Sequence, residues 1–203
     1  GLDGLASGVV AVGSLAFFSY TYLLAHEQDL VLATTASLVT AAIAGVCLGF
    51  LPHNFFPARM FMGDSGAMLL GLLLAASTIS LTGQIDSAAL TASSGGLLPS
   101  YLPIILPLAI MALPFLDLVL AYARRTMNGT WWFVADKQHL HHRLLQRGHS
   151  QVRACLLMYL WTGIISFGVI AVGLTQRWVA AGGMALLLVI AALLTWWPKT
   201  RKA

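Results

Sequence analysis

Apolar residues run through this chain in six stretches, near residues 4–24, 30–51, 67–82, 102–123, 154–174 and 178–197, each ended by a polar gap. A helix of about 20 apolar residues crosses the hydrocarbon core of a bilayer, where the backbone must satisfy its own hydrogen bonds. The pattern predicts an all-α fold, a polytopic transmembrane helix bundle with six spans. The third stretch is short by that measure, so its helix is expected to start inside the preceding gap or to run untilted.

The gaps are unequal. Gly1–Leu5, Asn54–Gly66 and Asp136–Arg143 hold clusters of polar, chemically capable residues, and all fall on one side of the predicted membrane. The gaps on the other side hold only scattered ionisable residues, His26, Glu27, Asp29, Asp86 and Arg177. This sidedness places the chemistry at one membrane face.

Composition agrees: 59% of residues are hydrophobic and 9% charged, against about 25% charged in a soluble domain. Mean hydropathy is +0.84. Lys and Arg are retained on the cytoplasmic side. Arg59, the six basic residues of 124–153 and Lys199, Arg201 and Lys202 make ten on the polar side, against Arg177 alone opposite. Both ends and all the polar clusters are therefore expected in the cytoplasm, in loops 52–66 and 124–153. The net charge of +4 then reflects topology and contact with anionic lipid, which argues against nucleic-acid binding.

Cys47 and Cys155 lie inside predicted spans, where a lone thiol behaves as a small apolar side chain. No cleavable signal pattern is present, and the opening Gly suggests a portion of a longer protein. Residues 83–100, rich in Gly, Ser and Thr, read as an external loop.

Asp64, flanked by Gly63 and Gly66 before an apolar run, has two readings. It caps the following helix, or it holds Mg²⁺ against substrate phosphates at a turn where glycine lets backbone approach a ligand. A short interfacial helix is predicted over 137–147, capped by Asp136 and stopped at Gly148. His139, His141, His142 and Arg143 there either anchor to anionic headgroups or form a donor set for a pyrophosphate. A zinc-protease reading fails for want of a Glu between histidines at i, i+4 spacing. Asp3, alone in a Gly-flanked turn, reads as a cap. Asp117 is expected to pair with Arg124 or Arg125.

The run NFFPARMFMGDSGAMLLG from Asn54, the run DKQHLHHRLLQRGHS from Asp136 and the opening GLDGLASG together resemble the polyprenyl-phosphate N-acetylhexosamine-1-phosphate transferases, the MraY/WecA superfamily. The three occur in family order and spacing. The HLHHRLL form looks closer to the N-acetylglucosamine branch than to the peptidoglycan branch, and the wider wording is similar to actinobacterial members that act on decaprenyl phosphate.

The resemblance implies transfer of N-acetylglucosamine 1-phosphate from UDP-N-acetylglucosamine, or another UDP-N-acetylhexosamine, to polyprenyl phosphate with release of UMP. It implies a bacterial plasma-membrane enzyme of cell-wall or surface-glycan assembly that admits a homodimer. It makes Asp64 the ligand of Mg²⁺ (or Mn²⁺) and a catalytic residue with His139, His141 and His142. Asp3, Asn54, Phe61, Gly63 and Arg143 become substrate-binding, Phe61 by stacking on uracil and Asp3 by contact with the nucleotide. Ala67 stands where many relatives have Ser, and the family's acidic pair is absent, since no Asp-Asp or Asp-Glu occurs. The chain is thus expected to be the C-terminal portion of one transferase domain, about six of roughly ten or eleven spans, and inactive alone. The competing class is a nonenzymatic transporter subunit or lipid-binding scaffold, whose polar loops would tolerate replacement if charge were kept.

Overall fold

A computed structural model of the chain describes residues 2–28, 31–82, 98–127, 144, 149–174 and 177–196. Six helices follow in order: α1 (Leu5–Gln28), α2 (Val31–Asn54), α3 (Gly63–Thr82), α4 (Leu98–Met127), α5 (Gln151–Leu174) and α6 (Arg177–Trp196). Among the described residues there is no strand. The helices α1, α2, α3, α5 and α6 are long and apolar enough to cross a membrane. With 30 residues, α4 extends about 45 Å at 1.5 Å per residue. The chain is a multi-pass helical membrane bundle.

The third span begins at Gly63, four residues before its apolar run, so the polar loop supplies the first turn and the helix reaches 20 residues. The fourth is longer than its apolar core, beginning at Leu98 within the segment read as an external loop and continuing through Pro103, Pro107 and Pro114. Ser150 starts α5: its hydroxyl accepts the Arg153 amide at 3.3 Å and its carbonyl the Ala154 amide at 2.9 Å, as an N-cap does.

The central helix is α1. It is the most enclosed span, 56% of its apolar window being buried against 6% for α6. Its Ala16, Phe17, Tyr20 and Leu24 meet Ala36 of α2, Leu81 of α3, Leu102, Leu106 and Ile110 of α4 and Ile170 of α5. A second cluster joins Ala11, Ile43, Cys47 and Leu70. Several hydroxyls inside the bundle turn back on their own helices, as Thr21 does to Phe17 O (3.0 Å), Thr40 to Ala36 O (2.8 Å) and Thr162 to Met158 O (2.9 Å), which offsets the cost of burying them.

Contacts fix the register of α1 on α5. Asp3 and Gly4 meet Cys155 and Tyr159, Gly8 meets Tyr159, Val12 meets Gly163, and Ile170 joins the cluster around Phe17 and Tyr20. The two helices run parallel, each rising from the same end of the bundle. That end also receives the C-terminus of α2 and the N-terminus of α3.

Candidate active site

The chain enters α1 through a tight turn in which Gly4 has φ 78°, a left-handed conformation that L side chains rarely adopt. A Cβ there would also stand 3.0 Å from Phe55 Cδ2 and 3.2 Å from Tyr159 Oη. The turn exposes two carbonyls, and α5 takes both. Cys155 Sγ donates to Asp3 O at 3.3 Å, and Tyr159 Oη donates to Gly4 O.

Asp3 is half-buried, and its Oδ2 accepts the Ala58 amide at 3.2 Å. It thus ties the turn to the loop after α2, where an isolated reading makes it a helix cap. That loop folds back on the helix it leaves: the amides of Arg59 and Met60 both donate to His53 O, at 2.8 and 3.1 Å. Its Phe56–Pro57 peptide is cis.

Asn54 is 7% exposed, and its amide is used on both sides. Nδ2 donates to Met60 O at 2.9 Å, and Oδ1 accepts from Ser7 Oγ at 2.9 Å. Ser7 also lies 3.1 Å from Gly4 O. That carbonyl already receives the Gly8 amide at 3.0 Å and the Tyr159 phenol. A carbonyl has two lone pairs, so the Ser7 proton goes to Asn54.

Beyond Met60 the loop turns outward. The Phe61 ring is 78% exposed. Gly63 has φ 68°, a second left-handed turn, with open space around it. Asp64 stands exposed in the first turn of α3. Among the described residues its carboxylate has no hydrogen bond or ion pair, so the capping role that competes for this residue is not the one it adopts. The free amides of a helix start, with the positive end of its dipole, favour an anionic group there.

The structure therefore gathers Asp3, Asn54, Phe61, Gly63 and Asp64 at one end of the bundle, with Asn54 turned inward and Phe61 and Asp64 outward. His139, His141, His142 and Arg143 lie outside the described residues, as do the predicted 137–147 helix apart from Leu144 and the side chains of Asp117, Arg124 and Arg125. Leu144 and His149 are described and lie at the same end. Leu144 packs with Leu2, Ala154 and Leu157. The amide of His149 donates to Leu144 O at 3.2 Å, and its Nε2 lies 3.2 Å from Thr195 O of α6. Among the described residues no group of three or more His, Cys, Asp or Glu is placed to hold a metal.

Ser7, Cys155, Tyr159 and His149 are the positions that sequence reading passes over. Ser7 is a polar group near the polar end of an apolar run, which is the signal that could have found it.

Residues 1–82 match the profile of glycosyl transferase family 4. The chain is 49% identical over 170 residues, 83% of its length and 41% of the relative's, to the decaprenyl-phosphate N-acetylglucosaminephosphotransferase of Mycobacterium tuberculosis strain H37Rv. It is 45% identical over 204 residues to the protein of that name from Mycolicibacterium smegmatis, covering 100% of this chain and 50% of the relative. The phospho-N-acetylmuramoyl-pentapeptide-transferase of Chlamydia pneumoniae is 39% identical over 84 residues, 41% of this chain and 23% of the relative. Likeness to the first two thus covers most of this chain, and likeness to the third less than half of it. No solved structure matches the chain. The chain spans about half the length of the curated relatives it matches most fully. The segment similar to glycosyl transferase family 4 is the one that supplies the turn, the loop and the start of α3, which meet at one end of the bundle.

Proposed function

We propose that the chain is the C-terminal portion of a transferase that moves N-acetylglucosamine 1-phosphate from UDP-N-acetylglucosamine to polyprenyl phosphate and releases UMP. The observation that carries this reading is the joining of the Asp3 turn to the 55–62 loop, which sets Asp3, Phe61 and Asp64 at one end of a membrane bundle. The names of the relatives support the substrates.

The reaction brings a lipid phosphate against an anionic pyrophosphate, so the charge on both has to be offset before in-line displacement. Asp64 fits Mg²⁺: an exposed carboxylate without a protein partner among the described residues suits an ion that takes one or two carboxylates and completes its shell with phosphates and water. Bound there, Mg²⁺ neutralises charge on the donor phosphates. The amides opening α3 face an anion beside it. Phe61 offers a ring face for uracil, and Asp3 retains Oδ1 for a donor on the nucleotide or sugar. His139, His141, His142 and Arg143 are the donors for the pyrophosphate, and this end of the bundle faces the cytoplasm.

Exchange of labelled UMP into UDP-N-acetylglucosamine, in membranes holding the complete transferase with polyprenyl phosphate and Mg²⁺, tests the reading. Exchange dependent on lipid phosphate and metal is expected. A complete protein that exchanges no UMP, yet binds anionic vesicles through its basic loop, would be the scaffold instead.

A further inference from the structure

Cys155 and Tyr159 are four residues apart on α5 and so share a face one turn from each other. Their targets are the carbonyls of two consecutive residues, Asp3 and Gly4. Carbonyls at a helix entrance point into the first turn and normally serve only that helix. Here the Gly4 carbonyl serves the Gly8 amide at 3.0 Å and a side chain from 155 positions away as well. Room for the second donor comes from Gly8, where a Cβ would overlap the Tyr159 ring.

The clamp is anchored elsewhere too. Ala154 and Leu157, in the same two turns of α5, pack on Leu144 and Leu2. The face of α5 that grips the turn therefore begins at Ala154, four residues beyond Ser150. On the other side of the turn, Asp3 Oδ2 is spent on Ala58 N at 3.2 Å. A turn held at its carbonyls by α5 and at its carboxylate by the loop leaves Asp3 one oxygen in a fixed direction.

Resting on the transferase reading above, we propose that Tyr159, with Cys155, is a positioning residue for the sugar nucleotide. It acts through Asp3, by fixing the left-handed turn that aims the Asp3 carboxylate. Tyr159 touches neither the nucleotide nor the reacting phosphates. Its phenol sets the orientation of the carboxylate that does, and it couples the helix following the histidine segment to the donor side of the site.

The test uses Tyr159→Phe in the complete transferase, since it keeps the ring and its packing and removes the hydroxyl alone. Loss of one such hydrogen bond is expected to raise KM for UDP-N-acetylglucosamine about tenfold, with kcat and the KM for polyprenyl phosphate within about twofold of wild type. Because Tyr159 acts through Asp3, the same change in an Asp3→Asn background should leave donor KM where Asp3→Asn alone puts it. An unchanged donor KM, a matching rise in acceptor KM, or full additivity with Asp3→Asn would each overturn the proposal. A second arm needs no activity: amide hydrogen exchange should quicken over residues 3–8 in Tyr159→Phe and stay unchanged over 70–81 of α3. If wild type transfers nothing from UDP-N-acetylglucosamine while this local quickening occurs, the transferase reading fails and the clamp on the turn stands. If the turn exchanges at the wild-type rate, the clamp fails whatever the substrate.

Discussion

The hydroxyl of Ser7 donates to Oδ1 of Asn54 at 2.9 Å, and both residues are buried. This bond closes the start of α1 onto the end of α2, 47 positions away. With Nδ2 on Met60 O, Asn54 acts as a bracket for the loop that leads to Phe61 and Asp64.

Asn54→Ala should therefore loosen the loop. It leaves the Ser7 hydroxyl and the Met60 carbonyl without their partner, a cost of about 1–3 kcal/mol for each group that stays buried and unpaired. A lower unfolding temperature in detergent is expected. Asn54→Asp keeps an acceptor for Ser7 but sets a buried carboxylate against the Met60 carbonyl, so it should lose at least as much. Equal stability of all three proteins would show that the bracket carries no load.

Asp64→Asn should do the reverse. The side chain is exposed and has no hydrogen bond or ion pair among the described residues, so the unfolding temperature should match wild type. UMP exchange in the complete transferase should fall by well over tenfold, more than ~1.4 kcal/mol of transition-state stabilisation. Activity within tenfold of wild type would remove Asp64 as the Mg²⁺ ligand.

Replacing His139, His141 and His142 together by lysine raises the positive charge, so binding to anionic vesicles should hold or strengthen. Transfer should be abolished, because an ammonium does not reproduce imidazole donor geometry or tautomers. Retained transfer would make the segment a membrane anchor.

The positive-inside reading predicts opposite labelling of the two ends of α1 and α3. In a background of Cys47→Ala and Cys155→Ser, a cysteine at Ser65, exposed where α3 begins, should react from the cytoplasmic face of sealed vesicles. A cysteine at His26, exposed near the far end of α1, should react from the other face. Labelling of both from one side would contradict the crossing of the membrane by α1.

The spans themselves were legible because lipid imposes one rule on every backbone group. Their neighbours were not. The helices α1, α2, α3 and α5 are apolar on all sides, so no polar stripe marks which face packs on which, and the parallel contact of α1 with α5 leaves no trace in the pattern. The shortness of the third apolar run pointed to a start inside the preceding gap, and Gly63–Gly66 supply it, helical without being apolar. Within the site, the motif marked Asn54, but its bonds to Ser7 and Met60 were not legible, since residue type tells what bonds an amide can make and says nothing about direction. Cys155 read as an apolar thiol and Tyr159 as an ordinary span residue for a different reason: both bond to backbone carbonyls, and an acceptor that every residue possesses has no sequence signature.

The close approach at Gly8 carries a consequence for the history of such chains. The hydrogen at Cα of residue 8 and the aromatic ring at 159 occupy complementary volumes, so neither position is free to drift by itself. A lineage that gains a methyl at 8 must first surrender the ring at 159, and with it the bond to the entrance turn. One that loses the ring leaves a space beside Gly8 that a larger residue can fill. Two sites 151 positions apart in sequence should accordingly change together or stay fixed together, as a single inherited unit.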